Sequence, residues 1–143
     1  MPQPSLVDIA KAPILAYNDK NWDAVRAAVT PTFVYDEVAT QRKVQGINDV
    51  LGVWREWAAA FPDSKATFNT VATSGKTVIM EVTWRGTHTG LLRAPTGEVA
   101  ATGKKIEIRA CQVIEVANDK VQAMRQYFDL MTMMQQLGAV SAV

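Results

Sequence analysis

The hydrophobic spacing of this chain changes from mainly helical to mainly alternating at Pro62, and that change limits the available folds more than any single motif. Before Pro62 apolar residues recur at helical intervals; after it they alternate. Ser5 reads as an N-cap, with Asp8 three residues on, and Leu6, Ile9, Ala10, Ile14 and Tyr17 follow at helical spacing. Pro13 falls inside this run and is expected to kink or shorten the helix. A short helix is expected from Trp22 to Val29, stopped near Pro31, and then a brief strand over Phe33, Val34 and Tyr35. Ile47, Val50, Leu51, Trp54, Trp57, Ala58 and Phe61 trace one wide apolar face of a third helix, which Pro62 ends.

Four strands are expected after it, over Ala66 to Thr73, Thr77 to Thr89, Ile106 to Val116 and Val121 to Tyr127. Ser74-Gly75 and Asn118-Asp119 read as compact hairpin turns, and Gly90 to Gly103 as a longer polar connection. Helices first and a meander of strands afterwards specify an α+β fold, not alternating β-α units. A single curved antiparallel sheet with the N-terminal helices across its concave face makes a cone, and the interior of a cone is a natural apolar pocket. The 143 residues suit one domain, residues 1–143. No GxGxxG or GxxxxGK[ST] segment supports a nucleotide-binding parallel sheet.

Composition removes several functions. Fifteen basic against fourteen acidic residues leave no net field to draw nucleic acid or an anionic membrane. Cys111 stands alone, which excludes an internal disulfide and a cysteine-cluster metal site, and His88 alone excludes HExxH zinc chemistry. No apolar run approaches the ~20 residues of a membrane span, and no export signal is read at the start, so a cytoplasmic location is expected. Four Trp and six Met are large, adaptable groups suited to a hydrophobic small molecule.

The run Gln122 to Gly138 carries the most chemistry. Strand alternation puts Val121, Ala123, Arg125, Tyr127 and Asp129 on one face, with Asp129 at the strand end before a short apolar helix. Asp129 among Phe128, Leu130 and Met131 suits a buried base of raised pKa; the same position also suits a helix cap. His88 shares a face with Met80, Val82, Trp84 and Gly86, where Gly86 leaves a gap that admits a ligand or relieves a bend. It reads as a substrate-polarising group or as a hydrogen-bonded structural one. Gln112, with Ile108, Ala110 and Ile114, needs partners that a ligand, a water or the protein itself can supply. Cys111 reads as an inert thiol. Trp54, Trp84, Tyr35 and Met80 are candidates for the pocket wall. Lys105, Glu107, Arg109, Cys111 and Val113 face the other way and suit a two-fold contact between copies.

Ala60-Phe61-Pro62-Asp63, Gly86-Thr87-His88-Thr89-Gly90, Pro95-Thr96-Gly97 and Tyr127-Phe128-Asp129 through Gln136-Leu137-Gly138 resemble, in order and spacing, the SnoaL-like polyketide cyclases (ester cyclases) of the nuclear transport factor 2-like superfamily. The resemblance implies an α+β cone that dimerises through its sheet and needs neither metal nor cofactor. It also implies that Asp129 matches the carboxylate serving as acid and base in an intramolecular aldol ring closure. Two positions depart from the family pattern: Gln112 stands where the cyclases commonly carry a histidine, and Asn118-Asp119-Lys120-Val121 where they carry Asp-Gly-Lys-Ile. The expected function is cofactor-independent cyclisation or isomerisation of a hydrophobic carbonyl compound. Asp129 would be the acid/base, Gln112 and His88 the hydrogen-bonding groups, and Tyr127 and Trp54 part of the wall. A non-catalytic small-molecule binder and an epoxide-hydrolase-like protein are the alternatives.

Overall fold

A computed structural model describes residues 4–95 and 97–140. Helix α1 (Leu6–Asn18) starts where Ser5 Oγ accepts from the Asp8 amide at 3.0 Å, and it runs unbroken through Pro13. Helix α2 (Trp22–Ala28) is capped by Asn21. Strand β1 (Val29–Glu37) is longer than expected, because Pro31 does not end the element. Its pairing shifts register between Val29 and Val34, and Pro31 falls in that gap, where no ladder amide is required. The short strand β2 (Arg42–Gln45), which the sequence did not announce, pairs back on β1. Helix α3 (Ile47–Ala60) ends before Pro62.

Strands β3 (Lys65–Ser74), β4 (Thr77–Thr87), β7 (Lys105–Ala117) and β8 (Lys120–Phe128) are the four expected from alternation. The stretch read as a polar connection instead holds a small hairpin, β5 (Leu92–Ala94) and β6 (Gly97–Val99), with buried Leu92 anchoring it. Thr96 of the Pro95-Thr96-Gly97 stretch lies outside the described residues. Helix α4 (Leu130–Gln136) closes the chain; the amides of Gly138 and Ala139 return to Gln135 and Met134 carbonyls, and Gly138 has φ +72°.

The curved six-stranded sheet has the order β2-β1-β8-β7-β4-β3. One neighbour relation departs from the antiparallel expectation: β1 and β8 run parallel, which the long intervening chain permits. Asn118 and Asp119, at φ 53° and 62°, form the tight β7–β8 turn. Near that turn Val116 faces Val121 but Glu115 faces Ala123, so Gln122 is an extra residue. This bulge reverses the side-chain phase of β8: after Val121, it is Met124, Gln126 and Phe128 that face inward.

Helices α1 and α3 cover the inner sheet face. Ala10, Ile14, Val50 and Trp54 pack with Met80, Val82, Ile114 and Met124 in the main core. A second cluster under α4 joins Phe61, Leu92, Ile106, Met133 and Leu137, with Trp57 and Phe128 touching both.

Candidate functional site

Between the helices and the sheet lies a cavity of about 80 Å³, walled by Tyr17, Trp54, Trp57, Phe61, Trp84 and Phe128 together with Ile14, Ile108, Met124 and Met133. Aromatic edges fix the wall. Trp54 meets Tyr17, Phe33 and Tyr35 edge-on at centroid distances of 6.1, 6.0 and 5.6 Å, and Tyr17 meets Trp84 at 5.3 Å. Met133, a flexible side chain in this wall, can adapt to the shape of a guest.

Two polar groups of residues interrupt the apolar wall. At one, Tyr17 Oη and Ser64 Oγ are 2.7 Å apart, and burial pushes the Tyr17 phenol up to about 12. At the other, Tyr35 and Gln126 line the cavity together, with Gln126 Nε2 donating to the Tyr35 oxygen at 2.9 Å. Trp84 Nε1 and Gln112 Nε2 both donate to Gln126 Oε1, each at 2.9 Å. Tyr35 in turn donates to Glu37 Oε2 at 2.8 Å. Burial, reinforced by the Glu37 charge, holds the Tyr35 phenol well above its ordinary value.

Glu37 is fully buried just behind the wall. Trp57 Nε1 reaches its Oε2 at 2.7 Å, while Thr40 Oγ1 and Arg42 Nη2 reach Oε1 at 2.6 and 3.3 Å. Arg42 continues to Glu56 at 2.6 Å, on the outer surface. A buried carboxylate with four donors is well satisfied, so the network is rigid.

The eight residues expected at the site separate into four places. Trp54, Trp84 and Tyr35 line the cavity, and Gln112 stands directly behind Gln126. Met80 is buried in the main core and does not reach the cavity. His88 is fully buried elsewhere, stacked obliquely on Phe61 at 5.2 Å. Its Nδ1 accepts from the Thr102 amide at 3.2 Å, and its backbone bonds Lys104 and Gly103, so it fastens the 102–104 segment to the end of β4. Burial lowers its pKa; Nε2 has no well-formed partner, although the Gly90 backbone nearby offsets part of that shift.

Tyr127 and Asp129 lie on the opposite side of the sheet from the cavity. Tyr127 is 44% exposed, in a shallow outer depression with Arg109, Cys111 and Asp129. The expected inward face of Val121, Ala123, Arg125 and Tyr127 is therefore corrected beyond Val121, and the extra residue at Gln122 is the reason. The exposed Asp129 carboxylate caps α4, accepting from the Thr132 amide at 3.0 Å and its hydroxyl at 2.7 Å. Those bonds, the hydroxyl's first, hold its pKa below the ordinary value, the reverse of a raised one.

The expected site left out Gln126, Glu37, Trp57 and Tyr17. Met124 and Phe128 are apolar at the other parity from Arg125, which pairs with Glu115 at 3.5 Å outside, and that was the available signal for Gln126. The motif residues mostly dock on one another. Asp63 accepts from the Thr87 amide and hydroxyl at 2.7 and 2.8 Å, and the gap at Gly86 is filled by Phe61 and Ser64. Gln136 makes a two-point bond with the Glu107 backbone at 2.9 and 3.0 Å.

Among the described residues no helix is long and apolar enough to cross a membrane. Structural relatives share the whole architecture. IdmH, a candidate polyketide cyclase from Streptomyces antibioticus, is 24% identical with a TM-score of 0.81 over 94% of this chain and 99% of its own. A candidate SnoaL-like polyketide cyclase from Jannaschia sp. CCS1 is 18% identical at 0.80, covering 99% of both chains. An epoxide hydrolase from M. tuberculosis is 19% identical at 0.71, over 92% of this chain and 88% of its own. No functionally curated protein shows significant sequence similarity to the chain. Residues 8–137 match the SnoaL-like polyketide cyclase family, and the chain belongs to that family.

Proposed function

We propose that the protein is a cofactor-independent enzyme of the cyclase type, acting on a hydrophobic carbonyl compound inside the cone. The observation that carries this reading is the aromatic-walled cavity whose polar end, Tyr35 and Gln126, leads by one hydrogen bond to the buried Glu37. Asp129 is less well placed for acid/base work in this cavity, being on the outer side and committed to a helix end. The Tyr35–Glu37 pair is the better candidate. In the proton step the substrate O–H or activated C–H bond breaks and a new O–H bond forms on the Tyr35 oxygen. The phenol's own proton passes to Glu37 Oε2 at the same time, leaving the substrate as an enolate and Glu37 neutral. Reversal of the relay returns the proton once the new carbon–carbon bond, or the shifted double bond, has formed.

Turnover of candidate carbonyl compounds to isomeric products tests this. Tyr35→Phe should lower the rate roughly 10²–10⁴-fold, the usual share of positioned proton transfer, while Asp129→Asn leaves it unchanged. The reverse pattern would return the acid/base role to Asp129. A binding role without turnover is the second reading, favoured by the absence of any carboxylate or imidazole from the described cavity wall. The hydrolase alternative has less support: Arg42 does bridge two carboxylates, but Glu56 of that pair faces outward from α3. The half-buried Cys111 and Val113 beside Tyr127 and Ile79 on the outer sheet face support assembly into a homodimer or higher even oligomer.

A further inference from the structure

The direction of every hydrogen bond at the polar end of the cavity is fixed by groups with no choice of role. An indole N–H can only donate, so Trp84 obliges Gln126 to present Oε1 to it and to turn Nε2 toward Tyr35. Tyr35 must then accept with its oxygen, and its own proton goes to the Glu37 carboxylate, which Trp57 also approaches as a donor-only group. Gln112, whose Nε2 is directed at Gln126 Oε1, is left with a buried Oε1 that has no partner. Donors therefore flow in one direction, and the chain ends in acceptors.

Donor and acceptor counting leaves two capacities on these cavity-lining residues: a second lone pair on the Tyr35 oxygen and the second N–H of Gln126. A ketone or ether oxygen can use only the N–H. A hydroxyl uses both, donating to Tyr35 and accepting from Gln126. A cationic amine gains little, since the Glu37 charge is already matched by Arg42 at 3.3 Å.

We propose that the site selects a neutral ligand through a hydroxyl group, an enol or phenol in preference to the keto or ether form, with Tyr35 as acceptor and Glu37 as the positioning residue that aims it. The proposal rests on the cavity being the functional site and names the form of substrate that it takes. The selectivity follows from hydrogen-bond accounting: a donor facing Tyr35 makes a bond strengthened by the carboxylate behind it, whereas a group without a donor forgoes that bond.

Phenol, anisole and acetophenone share one ring and differ in the group they present. Their affinities, measured by calorimetry and by quenching of tryptophan fluorescence, test the proposal. The wild-type protein should bind phenol about 10-fold or more tighter than either of the others, the effect of one hydrogen bond to a charge-polarised acceptor. In Tyr35→Phe that advantage should vanish, with acetophenone gaining from the released Gln126 N–H. In Glu37→Gln, which keeps an acceptor for Tyr35 but removes the charge, the advantage should shrink several-fold without reversing. A merely structural role for either residue would lower all three affinities together and leave their ratios alone. Equal affinities in the wild type, or ratios unmoved by Tyr35→Phe, would overturn the hydroxyl selectivity while leaving the cavity as the site. Ratios unmoved by Glu37→Gln would remove Glu37 from it, and failure of all three compounds to bind would overturn both readings.

Discussion

Asp129 and His88 both sit in motifs that invite a catalytic reading, and their surroundings give each a mechanical task. Asp129 holds the first turn of α4 through Thr132, and asparagine can make the same cap. Asp129→Asn should therefore keep the melting temperature, and Asp129→Ala should lower it. Because the folded carboxyl lies below its usual 3.8, its contribution is present above that pH and is lost as pH falls through the folded value. His88 works the same way around a different midpoint. Its folded pKa lies below 6.5, so the unfolded chain takes up a proton that the folded one resists. Stability should fall as pH drops below about 6.5, and denaturation midpoints for His88→Gln should show that segment of the pH profile flattened. Gln126 and Glu37 carry the opposite lesson: neither belongs to a conspicuous motif, yet both join the polar end of the cavity.

At the scale of elements, the AFPD and GTHTG segments act as one clamp between the end of α3 and the end of β4. A Cβ on Gly90 would lie 2.0 Å from the Ala59 carbonyl oxygen, a contact that backbone cannot yield to without moving α3. Gly90→Ala should cost about 1–3 kcal/mol or more, the range of overpacking in a filled site, read from urea midpoints. Helix α3 and the long strands β4 and β7 were legible because their apolar residues keep one period over ten or more positions. The β5–β6 hairpin was not, since three-residue strands carry too little periodicity. The site was legible only in part for a sharper reason. Trp54 and Trp84 lie on uninterrupted elements and Tyr35 beyond the register shift of β1, whereas the single extra residue at Gln122 reversed the parity that assigned Tyr127 to the interior.

For the whole molecule, a sheet with one covered and one open face leaves β4, β7 and β8 presenting a broad outer surface. Arg85 and Glu107 pair there at 2.7 Å, on the face that also carries the half-buried Cys111 and Val113, and Ile79 is 37% exposed. Such a mixture of matched charges and apolar groups fits a self-complementary contact. Sedimentation at micromolar concentration should show a dimer or higher even species, and Val113→Asp should shift it toward monomer; a wild-type protein that stays monomeric would count against the contact.

The parallel pairing of β1 with β8 also fixes an order of events during synthesis. Tyr35 and Glu37 emerge early on β1, but Gln126, which completes their hydrogen bonds, is made some ninety residues later. Until the last strand arrives, the first has only β2 beside it, and the phenol and carboxylate have no closed interior to face. Long-range closure of this kind slows folding and prolongs exposure of an open strand edge. The cavity is thus among the last parts of the protein to exist, and a nascent chain bears the halves of its polar end without yet having a place for any guest.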